Sequence, residues 1–354
     1  MRRYFLLLLN EFRLSRTAMI VHLIAVLQPT LMYALMAVTM VVPTFDMYVV
    51  QPKTDLGIAL VTAMEEVGSP IGPDYINPIL VSRVDPGDRQ VIDIVYPDGI
   101  PTAFQYYSYI DSNLVKNFRN RLTAALLVLW NRQLGSRAIT VNEYPWLPRD
   151  VPYTVYFGMA MIPLAAYLAA AMIGGYLVAQ EFEHGTILEY RLCPTSFYLL
   201  LAAKITRLLL MGLAAAAILY TTLGLITGVW ASSTLVVFVI LLPLALIAAC
   251  IGILAGLLTR SSLPSFLVGL ASAFVFWLVG SGFGLAAGFS PVFERVSRLI
   301  PNTPVVEMLF PYFYFGREVA ANPAAAQLQL AGYCLVLLIM VAIVYRQRVL
   351  RMQR

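Results

Sequence analysis

The stretch whose residue types and spacing carry recognisable chemistry is residues 180–204, QEFEHGTILEYRLCPTSFYLLLAAK. Thr186 and Glu189 form a T-x-x-E pattern, in which the Thr hydroxyl can accept from the backbone N–H three residues on and the Glu carboxylate can accept in return. Gly185 stands just before, where a helix that ends there needs a residue tolerant of positive φ. Downstream, Pro194 disfavours helical geometry at Cys193, so the pattern predicts a short helix over 187–192. A helix of under two turns is not stable alone in water and must be held by what it packs on.

Few other residues offer chemistry. His22 is a lone imidazole in an apolar segment, and without an acidic neighbour it reads as a neutral, hydrogen-bonded side chain rather than a proton relay. The acidic residues Glu65, Glu66, Asp74, Asp85 and Asp88 lack metal-ligand periodicity, and residues 44–152 contain no His. Of the three cysteines, Cys250 and Cys334 fall inside apolar segments, so no disulfide framework is expected. No G-x-x-x-x-G-K-[ST] motif occurs, which leaves the chain without the usual loop for cradling nucleotide phosphates. Paired carboxylates, a His cluster or a nucleophile beside a base are also missing from the apolar segments, which argues against an intramembrane enzyme.

The elements that must position the 180–204 loop are membrane helices. Apolar residues make up 60% of the chain and charged residues only 12%, against about a quarter charged in soluble domains. The net charge of +5 is distributed through the chain and does not point to nucleic acid. Segments 18–43, 153–179, 208–229, 234–259, 262–289 and 323–345 each meet the roughly 20-residue length of a spanning helix, giving six spans free of Asp, Glu, Lys and Arg. Residues 1–17 place Phe5, Leu8, Leu9 and Phe12 on one helical face, which predicts an amphipathic helix in the membrane interface. Arg2, Arg3, Arg13, Arg16, Arg191, Lys204, Arg207, Arg260, Arg346, Arg348, Arg351 and Arg354 all fall on one side, so both termini and the 180–204 loop are expected in the cytoplasm of a multi-pass inner-membrane protein.

Residues 44–152 then form an extracytoplasmic domain. Strand-like runs are expected at 57–61, 79–84 and 91–96, separated by Pro/Gly/Asp turns, with a helix over 112–133. The fold class is therefore an all-α polytopic membrane domain of six transmembrane helices with an inserted small α/β domain. Residues 290–322, broken by four prolines and carrying several charges, read as an external segment of short helices. Its cluster Phe310, Tyr312, Phe313, Tyr314 and Phe315 reads as an interfacial belt. The run Gly280, Gly282, Gly284 and Gly288 reads as a site of close helix packing.

The order Glu181 and Glu183, Gly185-Thr186, Glu189, Pro194-Thr195-Ser196 and Lys204 resembles the cytoplasmic loop of ABC-2 permeases, the membrane subunits of one class of ABC exporters. It departs at His184 and at Tyr190-Arg191, where that family more often has a charged residue and aliphatic residues. The insert between the first two spans is similar to that of the drug-exporting and related branches. The resemblance implies two permease subunits, identical or homologous, bound to cytoplasmic ABC ATPase subunits that hold ATP and Mg. It also implies a coupling element formed by Glu183, Gly185, Thr186, Ile187, Leu188, Glu189, Tyr190, Arg191 and Pro194. Within it, Ile187, Leu188 and Tyr190 are expected as exposed anchors, with Glu183 and Arg191 setting charge at the rim. Spans without charges suit export of an apolar or amphipathic substrate such as a drug or lipid. The competing reading, a membrane scaffold or receptor whose external domain binds a ligand, accounts for neither the loop nor the layout.

Overall fold

A computed structural model describes residues 2–14, 18–40, 44–68, 74–84, 91–95, 102–106, 112–134, 152–189, 196–285, 290–314 and 322–351. The chain divides into two compact units, Val41–Pro152 and the remainder.

Among the described residues, the larger unit has six helices long and apolar enough to cross a membrane: α2 (Met19–Met40), α5 (Tyr153–Glu183), α6 (Phe197–Thr227), α7 (Thr234–Thr259), α8 (Ser262–Val279) and α11 (Pro323–Arg351). α5 is the axis, buried along nearly its whole length and packed against α2, α6, α7 and α8. The outer helices turn large apolar side chains outward, among them Leu31, Leu35, Leu225, Leu235, Leu263 and Leu335, as a lipid-facing surface requires. Close approach of the inner helices is bought with small residues: a Cβ at Gly252 would stand 2.4 Å from the Ala171 carbonyl oxygen, so α7 and α5 touch backbone to backbone there.

Of the boundaries that differ from the hydropathy reading, three bear on the site. α6 begins at Phe197, eleven residues before its uninterrupted apolar run, and so contains Lys204 and Arg207. α5 runs on to Glu183 and carries Glu181. α8 stops at Val279, where the backbone unwinds; the missing Cβ of Gly280 lets Asn302 and Ile300 approach closely, Gly282 folds back on Trp277 of the same segment, and Gly288 lies outside the described residues.

The 290–322 segment does form short helices, α9 (Pro291–Arg298) and α10 (Asn302–Phe313), started in the first case by the Ser290 hydroxyl accepting from the Phe293 N–H at 3.3 Å. α10 is buried against α5, α7 and α11. Phe310, Phe313 and Tyr314 are consequently core rather than belt, while Tyr312 is half-buried: Phe310 stacks on Tyr314 with centroids 4.0 Å apart, and Phe313 packs edge-on to Tyr220. Phe315 lies outside the described residues.

The smaller unit has a four-stranded sheet in the order β2-β1-β3-β4, formed by β1 (Phe45–Val50), β2 (Ile76–Val81), β3 (Val91–Val95) and β4 (Thr102–Tyr106). β1 pairs parallel with β2 and β3, and β3 pairs antiparallel with β4. Residues 57–61 are not a strand but part of the helix α3 (Asp55–Glu65). Thr54 caps it by accepting from Gly57 N, and Gly57, Leu60, Ala63 and Met64 share its buried face at helical rather than alternating spacing. With α4 (Ser112–Leu134), which contributes Phe118, Leu122, Ala125 and Leu129, α3 covers a core that includes Met47, Val49, Ile76 and Ile92.

Gly252→Ala should lower stability by about 1–3 kcal/mol, because its methyl meets backbone that cannot rotate away. Gly332→Ala, inside α11 with nothing within 4 Å, should not lower it and should raise it by up to about 1 kcal/mol through helix propensity. Thermal unfolding of the purified variants in detergent measures both.

Candidate functional site

Four charged side chains meet inside the larger unit, at the end of the bundle where α5 leads towards α6. Lys204 and Arg207, only 4% and 2% exposed, are three residues apart and so lie on one face of α6. Lys204 Nζ donates to Glu11 Oε1 at 2.8 Å and also contacts Glu181 Oε1. Arg207 Nη1 donates to Glu11 Oε2 at 3.2 Å. Glu11 comes from the N-terminal helix α1 (Arg2–Leu14), which also ties to α6 where Tyr4 Oη donates to Thr206 Oγ1 at 2.6 Å.

His22 of α2 completes the cluster. Its Nδ1 lies 2.8 Å from the Ala18 carbonyl oxygen, which can only accept, so Nδ1 carries the proton and Nε2 is left to accept from Arg207 Nη2 at 2.9 Å. The imidazole is therefore neutral, and two carboxylates balance two cations. That balance matters because several kcal/mol are lost for each ion taken out of water without a partner. The gap beside Glu11, Lys204 and Arg207 is about 10 Å³, room for at most one water.

This cluster holds the base of the 180–204 loop. α5 ends at His184 and Gly185: His184 N donates to Gln180 O at 2.9 Å, Gly185 N donates to Phe182 O at 3.2 Å, and Gly185 takes φ 71°. Thr186–Leu188 then make one 3₁₀ turn, with Glu189 N–H donating back to Thr186 O. The reciprocal T-x-x-E cap is not formed. An N-cap residue needs extended backbone and an accepting hydroxyl, whereas the Thr186 hydroxyl donates back to Glu181 O at 3.4 Å.

The expected coupling residues are thus distributed differently from the sequence reading. Ile187 is not an exposed anchor: it is 2% exposed and plugs the turn onto the bundle. Glu183 does not project from a rim; its two carboxylate oxygens accept from Ser262 N at 2.7 Å and Ser262 Oγ at 2.8 Å, capping the start of α8. Glu189 is exposed, and Leu188 sits in the turn. Tyr190, Arg191 and Pro194 lie outside the described residues.

A family model described as "ABC-2 family transporter protein" matches residues 44–345, most of the chain. The chain belongs to the ABC-2 family. No curated protein matches it. This ABC-2 protein is a permease subunit of an ABC transporter, a membrane transport component whose family implies an ABC ATPase partner. Its family membership and six apolar helices make it a multi-pass membrane protein.

Sequence reading of the permease missed the cluster because Glu11 and Lys204 are 193 residues apart and belong to separate segments. A signal was available: cations at i and i+3 before one apolar run, and Glu181 closing another. In the permease, Lys204→Met should destabilise by about 3–5 kcal/mol, since it leaves Glu11 and Glu181 to share one cation. Lys204→Met with Glu181→Gln restores charge balance and should recover part of that loss. Unfolding temperatures of the single and double variants test it; a double variant no better than Lys204→Met would show the ions are not coupled.

Proposed function

We propose that the permease is driven by a separate ABC ATPase, holding ATP and Mg, which docks on the turn after Gly185, and that it exports an apolar or amphipathic substrate by alternating access. The observation supporting this is the buried ion cluster at the base of that turn. A push on Thr186–Leu188 bears on Ile187 and the end of α5, and through Glu181, Lys204, Arg207 and Glu11 on α6, α1 and α2. A loop serving only as a connector would need no such anchorage. The rest of the bundle supports the substrate class: beyond this end cluster the described spans carry no Asp, Glu, Lys or Arg along their apolar length to compensate a hydrophilic ion.

Arg and Lys asymmetry supports placing the turn and both termini in the cytoplasm and the 44–152 domain outside. Two permease subunits, identical or homologous, would complete the translocation path. The scaffold or receptor reading has no observation of its own to favour it.

Purification of the tagged permease from its own cells in mild detergent should recover an ABC ATPase whose hydrolysis responds to amphipathic compounds. Gly185→Val, which forces a β-branched residue into positive φ, should abolish that recovery or that response. Full coupling in this variant would reduce the turn to a connector. For sidedness, a cysteine-free background carrying Lys53→Cys should react with an impermeant thiol reagent in cells with any outer membrane permeabilised, and His184→Cys should not; the reverse pattern inverts the topology.

A further inference from the structure

A second cavity, of about 170 Å³, opens at the other end of the bundle, between α9, α10 and the start of α11. It holds the space of about five waters. Its wall includes Glu307, Arg298, Thr303, Asn322 and Gln329. Glu307 is only 9% exposed, yet among the described residues no hydrogen bond or ion pair reaches its carboxylate. Its side chain is largely covered while its oxygens face the cavity, so the carboxylate presents a fixed negative charge there that a cation entering the cavity can meet.

The neighbouring groups decide the chemistry. Arg298 is already engaged: its Nη2 and Nε donate to Glu294 Oε1 at 2.7 and 3.1 Å. With Glu294 paired to Arg298, the described wall carries one net negative charge, that of Glu307, which Arg298 also attracts across the cavity. Gln329 spends its Nε2 on the Arg298 carbonyl oxygen at 2.7 Å, which leaves its Oε1 as an acceptor. Thr303 donates to Ser297 O at 2.6 Å. Among the described residues, the acceptors still open in the cavity are thus the Glu307 oxygens and the Gln329 amide oxygen; the donors are the Asn322 amide nitrogen, whose Oδ1 accepts from Ala325 N at 3.1 Å, the second N–H of Gln329 and the Arg298 N–H groups that Glu294 does not use. Ala325, Ala326 and Pro304 supply an apolar wall for carbon.

We propose that this cavity binds a primary ammonium group, with Glu307 as its counter-charge and Gln329 Oε1 as a second acceptor. The group could arrive on a lipid headgroup or on a free amine, and the volume admits the ammonium and a short carbon linker. The inference concerns binding to this chain alone and does not rest on ATPase coupling.

Burial pushes the Glu307 carboxyl up, with Arg298 opposing the rise and Glu294 adding to it. Among the described residues, the charged and titratable groups facing it are Arg298 and Glu294 of α9 and Tyr156 of α5, whose hydroxyl donates to Ser281 O at 2.7 Å. Ammonium binding should accordingly weaken as pH falls through this raised value, because a neutral Glu307 no longer attracts a cation.

The test is native mass spectrometry of the purified, delipidated full chain with phosphatidylethanolamine and phosphatidylglycerol of identical acyl chains, with n-butylamine as a soluble competitor. Glu307→Gln should weaken the ethanolamine lipid at least about tenfold and leave the glycerol lipid unchanged. Arg298→Gln, which removes the competing cation, should strengthen it, a change of sign that misfolding does not produce. Displacement by n-butylamine with a preference for the ethanolamine lipid identifies a headgroup site. Glu307-dependent n-butylamine binding without lipid preference identifies a free-amine site. Equal amine binding by wild type and Glu307→Gln, or weaker binding by Arg298→Gln, overturns the proposal.

Discussion

The constraint on which this structure turns is that Lys204 and Arg207 are inside the bundle. Lysine and arginine withdrawn from water need their counter-ions at contact distance, and here those counter-ions come from two other helices, Glu11 of α1 and Glu181 of α5. Several features follow. α6 must extend back to Phe197 so that its first turns present both cations on one face. α1 must lie along α6 so that one carboxylate reaches both cations. His22 must stay neutral, because a protonated ring would set a third cation against two carboxylates. Exchange of the cluster for hydrophobic residues of equal volume is often neutral or favourable in other folds, so its value here is better sought in fixing which helices move together than in stability.

The remainder of the bundle uses the opposite strategy. α5 is surrounded on nearly every side and carries no charge until its last turn. Small side chains let its neighbours approach to backbone contact, and the described charges sit at the two ends. At one end, inside the bundle, Glu11 and Glu181 balance Lys204 and Arg207. At the other, Glu294 and Arg298 pair while Glu307 faces a cavity. The permease thus has one closed electrostatic site and one open one, separated by an apolar bundle.

Much of this was legible in the sequence, for reasons that differ by element. Six spans follow from length and apolarity alone, and α7 and α4 begin where their patterns say. Lys204 and Arg207 were read as lying outside a span because hydropathy counts each charge as unpaired; the pairing that admits them is between segments 193 residues apart. Residues 57–61 looked like a strand because Ile, Ala, Leu and Val suit either structure, and Thr54 with the spacing Leu60, Ala63, Met64 decided for helix. The T-x-x-E cap failed because Gly185, itself read correctly as a helix stop at positive φ, leads straight into a 3₁₀ turn that turns the Thr186 hydroxyl back to Glu181. Ile187 was read as exposed from its place in a polar loop, yet a turn that short is stable only if a side chain anchors it.

If the cluster makes α1, the end of α5 and the start of α6 one body, a distance across it must survive the transport cycle. Double electron–electron resonance between spin labels at Phe12 and Glu189, both exposed, measures that distance in the ATPase-bound permease, spin-diluted to remove contributions between copies. The account predicts one distribution, the same in nucleotide-free and vanadate-trapped complexes. A distribution that shifts or splits on trapping would show that α1 and the turn move independently, and would contradict it.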